Sequence, residues 1–299
     1  MHHNLPKLPQ ILRHPRSPLV FKVVTLTVLS LSVPLLLYRQ GVAQQSLPLR
    51  IERWLMLRQL TGQVMYQHRD QSRPAQSGDR LRQVGDGVTT GPRSTATIEV
   101  DTGIGFLRVA EKTQVTVRQL MIAGDNGRIT QLNVPWGQVR LQLRRFTHRG
   151  SSLQIHTPAG VSAVRGTEFG VNVQPSGKMG VATLTGKVVT QSKGRTVAVP
   201  AGFQNLTIPG EAPSAPVPLK DSTELRYSLQ RQIQGKLRQV RFIGQIDPVN
   251  TVYFRNTPLN SDRRGQFSLL LPPISTQDLE FTVITPLGRQ QVHKIKISL

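Results

Sequence analysis

The sequence contains no cysteine among its 299 residues, and aromatic residues make up only 5% of it. The absence of thiols excludes disulfide bonds, cysteine-ligated zinc, iron–sulfur clusters and cysteine nucleophiles. The scarcity of aromatic side chains and the lack of any nucleic-acid fold signature argue against nucleic acid as a partner. Acidic residues are also few, at 16 against 38 Lys and Arg, which gives a net charge of +22. A field of this sign attracts anionic partners but does not determine the fold.

Motifs for catalysis and for cofactor binding are missing as well. The histidines show no zinc-ligand spacing outside the N-terminal segment, and no Gly-x-Ser-x-Gly nucleophile motif occurs. Residues 180–187 resemble a phosphate-binding loop with one residue too many, so we predict a hairpin there. Glu99 and Asp101 could share a strand face, but one such pair is expected by chance, and a hydrolase would need convergent carboxylates, of which the chain has few. We predict no enzyme activity, no cofactor and no metal, with a hydrolase of envelope polysaccharide as the minor alternative.

A hydrophobic run without charged residues occupies positions 23–38 and follows a basic N-terminal segment. This order is typical of a secretory signal peptide, and Gly41 and Ala43 supply the small residues expected before a cleavage site. A spanning helix needs about 20 apolar residues, and Pro34 interrupts this shorter run. We therefore predict a signal peptide over residues 1–43, with a single retained membrane anchor at 19–38 as the alternative. Either way, we expect the body on the periplasmic or extracellular side of a bacterial envelope, secreted or anchored to the inner membrane.

Short runs of alternating apolar and polar residues fill the chain between positions 61 and 209, separated by Gly, Pro, Asp and Asn. Such alternation places one face of a strand on a core, and closely spaced strands of this kind favour a sandwich or roll. Clear examples are residues 63–66, 96–100, 105–109, 114–117, 138–143 and 170–173. Before them, Ile51, Trp54 and Leu55 would share one face of a short helix. The sequence therefore predicts an all-β protein.

Several motifs of this region stand in the order found in FecR domains. They are SGDRL at 77–81, VGDGVTTG at 84–91, GQVRL at 137–141, HTPAG at 156–160, VRGTEFGV at 164–171, LTGKV at 184–188 and VPAG at 199–202. The stretch from about 61 to 209 thus resembles a FecR domain, and we assign residues 50–208 to a FecR-like β domain. The resemblance implies an extracytoplasmic β module.

The best-known FecR proteins relay signals from an outer-membrane siderophore receptor to a sigma factor, and they carry a cytoplasmic helical domain before the membrane span. Only 22 residues precede the hydrophobic run here, so we expect this helical domain, and with it the sigma-regulator role, to be absent. The favoured function is a non-enzymatic binding, scaffolding or sensing module of the envelope. The alternative is a sigma-regulator component of iron-transport signalling.

The most recognisable FecR-like motif contains Arg165, Gly166, Thr167, Glu168 and Phe169. We expect these residues to be structural. Gly166 would permit a tight turn, Thr167 and Glu168 would hydrogen-bond nearby backbone, and Phe169 would enter the core. Arg165 would pair with Glu168 or another carboxylate. Ligand contact is the alternative role for these residues.

The densest basic cluster consists of Arg140, Arg144, Arg145 and Arg149. Because Arg140 and Arg144 have the same parity, both could project from one face of a strand. The plain interpretation is a solvated strand face followed by a basic turn. The functional interpretation is a docking site for an anionic surface, and the partners we expect are an envelope protein or an anionic glycan or lipid surface.

Three further segments follow the FecR-like region. Residues 209–220 are rich in proline and predict an extended linker. Leu225, Leu229, Ile233 and Leu237 recur every four residues and predict a helix over 221–239. Residues 240–299 alternate again, and the D-x-x-G-x-F pattern at 262–267 resembles a turn of bacterial Ig-like modules. This resemblance implies a small Ig-like β-sandwich at 240–299.

Overall fold

The computed structural model describes residues 53–234, 237–271 and 276–298, which fall within one compact unit spanning Glu52–Leu299. The predicted signal peptide or anchor at 1–43 lies outside the described residues. Within them, the regular elements are all β-strands, which confirms the all-β prediction. The described part of the chain contains no helix that is long and apolar enough to cross a membrane.

The first eighteen strands form a sandwich of two nine-stranded sheets, which we call sheet A and sheet B. In chain order they are β1 (Leu55–Thr61), β2 (Val64–His68), β3 (Gln71–Pro74), β4 (Arg80–Leu81), β5 (Gly87–Thr90), β6 (Thr95–Val100), β7 (Gly105–Val109), β8 (Gln114–Ile122), β9 (Arg128–Asn133), β10 (Gly137–Leu143), β11 (Ser152–Thr157), β12 (Gly160–Val164), β13 (Glu168–Val173), β14 (Met179–Thr185), β15 (Lys187–Ser192), β16 (Arg195–Pro200), β17 (Phe203–Thr207) and β18 (Val217–Pro218). The order across sheet A is β18-β17-β14-β13-β10-β7-β6-β1-β4. The order across sheet B is β16-β15-β12-β11-β9-β8-β5-β2-β3.

The alternating sequence explains how the two sheets share one core. In β7, Leu107 and Val109 are buried, whereas Phe106 and Arg108 between them are exposed. Successive hairpins are placed alternately in the two sheets: β6–β7 and β13–β14 in sheet A, β8–β9 and β15–β16 in sheet B. Among the described strands, neighbours in the sandwich run antiparallel except β9 and β11. The early strands therefore lie at one end of the sandwich, and the later strands follow in order toward the other end.

The last seven strands form a separate C-terminal module with its own core. They are β19 (Arg226–Gln234), β20 (Leu237–Gln245), β21 (Thr251–Phe254), β22 (Thr257–Leu259), β23 (Gln266–Leu271), β24 (Thr276–Ile284) and β25 (Gln290–Ser298). One sheet has the order β19-β20-β23 and the other β22-β21-β24-β25. Phe242, Phe267 and Phe281 pack between the sheets, and the rings of Phe242 and Phe281 lie 4.6 Å apart.

The helix predicted over residues 221–239 is wrong, because β19 and the start of β20 occupy this stretch. A repeat of four residues is also a multiple of the two-residue strand period. Tyr227 fills the position between Leu225 and Leu229, so apolar residues alternate there as they do in a strand. Tyr227 stacks on Phe242 with ring centroids 5.2 Å apart. The segment is thus the first strand of the C-terminal module.

Two smaller expectations are also wrong. The helix expected within residues 50–60 is replaced by β1, where Leu55 and Leu57 are both fully buried in the core of the sandwich. The hairpin expected at 180–187 does not form, because β14 belongs to sheet A and β15 to sheet B. In both cases the local pattern was ambiguous, and packing in the double sheet decided the outcome.

The proline-rich segment 209–220 runs along the edge of sheet A. The backbone N–H of Ser214 donates to the carbonyl of Leu206 at 2.8 Å, and β18 pairs with β17. Proline, which lacks an N–H, is tolerated at such an edge. Glu211 forms an ion pair of 2.6 Å with Arg263 of the C-terminal module. The segment therefore connects the sandwich and the module while being bonded to both.

Loops of the C-terminal module rest on the outer face of sheet A. The side-chain amide of Gln138 donates to the carbonyl of Pro286 at 2.8 Å, and that of Asn172 donates to the carbonyl of Ile284 at 2.9 Å. Between these two hydrogen bonds, the backbone of Gly170 lies very close to that of Pro286. A Cβ atom added to Gly170 would lie only 1.8 Å from the Pro286 carbonyl oxygen. The glycine leaves the space that this contact needs.

Candidate functional site

A row of polar residues crosses the outer face of sheet A beside the C-terminal module. Gln59, Thr97, Arg108 and Arg140 stand opposite one another in register on β1, β6, β7 and β10. The row continues to Gly170 on β13, where Pro286 is seated. The four polar residues line two adjoining cavities of about 650 and 420 Å³. We call the two cavities together the sheet A cleft.

The C-terminal module supplies one wall of the sheet A cleft. Leu287 and Gly288 of the β24–β25 turn line the larger cavity. Arg140 Nη1 donates a hydrogen bond to the carbonyl of Leu287 at 3.2 Å, which links the β24–β25 turn to sheet A. At the other side, Phe106 lines the smaller cavity with 43% of its surface exposed. The cleft thus combines cationic groups, backbone and an accessible aromatic ring.

The charges in the sheet A cleft are not balanced. Arg108 and Arg140 stand directly opposite each other on antiparallel β7 and β10, an arrangement that destabilises a sheet when the charges are alike. Glu168 compensates Arg140 through an ion pair of 2.6 Å. Arg108 is exposed and forms no ion pair with any carboxylate of the described residues. An anionic group placed between the two guanidinium groups would relieve the repulsion.

Glu99 and Asp101, the two neighbouring carboxylates of β6 and the turn after it, are engaged in ion pairs. Arg58 Nε donates to Glu99 at 2.6 Å, and Arg53 Nε donates to Asp101 at 3.1 Å. Both carboxylates are buried, so their guanidinium partners provide the compensating charge. Within residues 53–234, 237–271 and 276–298, no three His, Asp or Glu side chains are grouped in a way that could hold a metal ion.

The residues of the FecR-like motif lie in and beside β13. Phe169 is fully buried, and Thr167 Oγ1 donates to the Lys187 carbonyl at 3.3 Å. Gly166 has φ +104°, and a Cβ atom there would lie 2.3 Å from Arg145 Cα, so the turn requires glycine. Four of the five residues do not reach the sheet A cleft. The exception is Glu168, whose carboxylate holds Arg140.

The expected pair between Arg165 and Glu168 does not form. Arg165 Nη2 donates to the backbone carbonyl of His148 at 3.2 Å and also to that of Arg149. The turn at Gly166 separates Arg165 from Glu168, which begins β13 and faces the cleft. Arg165 therefore fastens the loop that follows β10.

The basic cluster is divided by the structure. Arg140 lies within β10 and belongs to the sheet A cleft, whereas Arg144, Arg145 and Arg149 follow the strand and are exposed. Sequence reasoning missed Arg108, because a single arginine in an alternating strand has no distinguishing pattern. Only the register between β7 and β10 makes it the neighbour of Arg140.

A buried lysine lies at a second contact between sheet A and the C-terminal module. Lys178 is 3% exposed, and its ammonium group donates to Ser261 Oγ and to the Asp262 carbonyl, both at 2.8 Å. Burial lowers the pKa of Lys178 from 10.5 to about 8, and the nearby carboxylates of Asp262 and Asp247 oppose this shift. The contact therefore carries a charge that is only partly compensated.

Comparisons with known proteins support the FecR resemblance over part of the chain. Residues 86–189, about a third of the sequence, match the family model described as FecR protein. The matched stretch contains β6, β7 and β10, which carry three of the four residues in the polar row. A search of curated proteins finds no match to the chain.

Two crystal structures of a candidate anti-sigma factor from Parabacteroides distasonis ATCC 8503 are similar to parts of the chain. The structure at 1.65 Å resolution has 14% identity and a TM-score of 0.37, over 44% of this chain and 59% of that chain. The structure at 2.50 Å resolution has 16% identity and a TM-score of 0.32, over 45% of this chain and 56% of that chain. The similarity thus spans less than two thirds of either solved chain.

Proposed function

We propose that this chain is a non-enzymatic binding module of the bacterial envelope, which scaffolds or senses an acidic segment of another envelope protein. The match of residues 86–189 to the FecR family model supports a partner-binding, signalling type of role. The proposed location outside the cytoplasm rests on the basic N-terminal segment and the apolar run that follows it.

The observation that carries the proposal is the opposed pair of Arg108 and Arg140 in the sheet A cleft. Glu168 already pairs with Arg140, and Arg108 has no ion-pair partner among the described carboxylates, so the pair offers a site for the negative charge of a ligand. A carboxylate accepts two parallel hydrogen bonds from one guanidinium group, which favours an acidic side chain as the occupant. The exposed ring of Phe106 would contact apolar residues beside that side chain.

The C-terminal module is proposed to be Ig-like and to act as the fixed wall of this cleft. Two antiparallel sheets of three and four strands around a shared aromatic core support an Ig-like sandwich. The turn at residues 262–267 supports it too, because Asp262 Oδ1 accepts the backbone N–H groups of Arg264 and Gln266 at 2.8 Å each. In this proposal, the module positions Leu287 and does not act as a free spacer.

Site-specific photocross-linking in the native envelope tests this function. A photoreactive residue at Phe106 should form a protein adduct, whereas one at Met121, which is 45% exposed on sheet B, should not. The adduct should disappear in Arg108→Glu and weaken as salt is raised, since exposed charges are screened within about 8 Å at physiological ionic strength. Equal adducts from both positions would contradict the proposal, and a protease-resistant adduct would identify an anionic glycan instead of a protein.

The second candidate is a sigma-regulator component of iron-transport signalling, which the FecR family match favours. It differs from a simple binding module in its effect on transcription. Deleting the gene should then change transcription of a neighbouring iron-uptake operon under iron limitation. Unchanged transcription, together with a cleft-dependent adduct from Phe106, would favour the binding module.

A further inference from the structure

A second cationic groove lies at the end of the sandwich, where β3 forms the edge of sheet B and β4 the edge of sheet A. Its volume is about 980 Å³, and its lining includes His68, Arg73, Arg80, Arg82 and Asp86. None of these residues belongs to the sheet A cleft, although Arg80 lies in the SGDRL sequence and Asp86 in the VGDGVTTG sequence. The groove therefore needs its own explanation.

A buried carboxylate fixes the histidine of this groove. Asp86 is 1% exposed, and one of its oxygens lies 2.7 Å from His68 Nδ1. The other oxygen accepts the backbone N–H groups of Arg82 at 2.7 Å and Gln83 at 2.9 Å. Because Nδ1 faces this carboxylate, Nε2 is left as the accessible nitrogen of a ring whose side chain is 39% exposed. Asp86 thus fixes the orientation of the His68 ring through its Nδ1 atom.

The arginines of the groove leave positive charge available to a ligand. Arg73 is paired with Asp79 at 2.7 Å. Arg80 lies over the Trp54 ring at 4.5 Å. Arg80 and Arg82 flank the buried Leu81 in the chain, and both line the groove. Neither forms an ion pair with a carboxylate in the described part of the chain.

We propose that this groove binds a phosphoryl group, held by His68 Nε2, Arg80 and Arg82. The guanidinium groups of Arg80 and Arg82, together with the Nε2–H that His68 presents when its ring is doubly protonated, suit a tetrahedral oxyanion, which accepts hydrogen bonds on several oxygens at once. The two carboxylates that line the groove already have partners: Asp86 contacts His68, and Asp79 is paired with Arg73. Their negative charge therefore repels a bound anion less than that of unpaired carboxylates would. The phosphoryl group belongs to a soluble phosphate ester or to a lipid headgroup. The proposal is independent of the sheet A cleft.

Binding of inorganic phosphate and of sulfate to the full-length protein tests the proposal. The His68 ring resonances, followed by NMR, should shift and saturate. His68→Leu and Arg82→Gln should each weaken binding about tenfold, the loss expected for one hydrogen bond to a charged group. Arg195→Gln is the matched control, because it removes one exposed positive charge on β16, at the opposite edge of sheet B. It should change the affinity less than twofold.

Vesicles containing phosphatidylglycerol distinguish the two sources of the phosphoryl group. Binding to vesicles that sulfate displaces, and that Arg82→Gln weakens, supports a headgroup site. Sulfate binding without vesicle binding supports a soluble ester. An equal loss in Arg82→Gln and Arg195→Gln would overturn the proposal, as would unchanged binding in His68→Leu and Arg82→Gln. Circular dichroism and the melting temperature of each variant verify that the fold is intact.

Discussion

Replacing Lys178 by methionine tests how the sandwich and the C-terminal module hold together. The ammonium group is bonded to Ser261 and Asp262 but forms no ion pair with a described carboxylate. Its pKa falls from 10.5 to about 8 on burial. Since one pH unit corresponds to 1.36 kcal/mol, keeping this lysine charged costs the folded state about 3 kcal/mol.

The sign of the pH dependence follows from where the proton is bound. Between pH 8 and 10.5 the unfolded chain holds the proton on Lys178 while the folded chain releases it, so stability rises with pH through this window. The Lys178→Met variant lacks this dependence but leaves the Asp262 carbonyl without its donor, at a cost of about 1 kcal/mol. We expect the variant to be more stable than the parent by roughly 2 kcal/mol at pH 7 and less stable by about 1 kcal/mol at pH 10.5.

Denaturant unfolding followed by tryptophan fluorescence, at a series of pH values from 7 to 10.5, measures this difference. Other titrating groups cancel when the variant is subtracted from the parent. Lys187→Met is the control, because Lys187 is exposed on β15 and its variant should follow the parent in parallel. A difference between parent and Lys178→Met that stays constant across the window would refute the buried charge.

Three further substitutions have defined outcomes. Arg108→Glu should raise the free energy of unfolding by about 0.5 kcal/mol, because it replaces a like-charge pair by an opposite one, and a lower denaturation midpoint would contradict the repulsion. Gly166→Ala should lower the free energy of unfolding by about 2 kcal/mol, because φ +104° is strained for alanine and its Cβ meets the Arg145 backbone. Thermal melting measures this loss, and an unchanged melting temperature would exclude the strain. Gly170→Val should displace the Pro286 turn. Amide exchange at Thr285, Leu287 and Gly288 should then speed up at least tenfold while β10 stays protected, and protection at both places would show that the turn can shift without undocking.

Much of the sandwich could be predicted from the sequence, since side chains that alternate along a strand identify its buried face. Residues 105–109 and 138–143 lie in β7 and β10 for this reason. The pattern failed at β19, where leucines four residues apart suit a helix and a strand equally well. Only the second sheet of the C-terminal module, with Phe281 stacked on Phe242, decides between the two.

The sheet A cleft could be predicted only in part. Arg140 stood out because three more arginines follow it, but its partner Glu168 lies 28 positions away and meets it only through the pairing of β10 with β13. Arg108 and the Pro286 turn depend on register and on docking between the sandwich and the module. Such contacts join residues that are far apart in the chain, and no local pattern encodes them.

The docked β24–β25 turn has a consequence for the order in which the protein matures. Neighbouring hairpins of the sandwich are close in sequence, so their pairing involves short loops and can proceed as the chain appears. The wall of the sheet A cleft comes from residues 284–288, which follow all eighteen strands of the sandwich in the chain. During synthesis, a chain that has not yet reached residue 284 can therefore present Arg108 and Arg140 on sheet A, but it lacks the turn that forms the wall of the cleft. We expect pulse-labelled exchange during refolding to show protection of β7 and β10 before that of the β24–β25 turn. If the proposed acidic partner needs this wall for binding, it would bind a completed molecule better than an incomplete one.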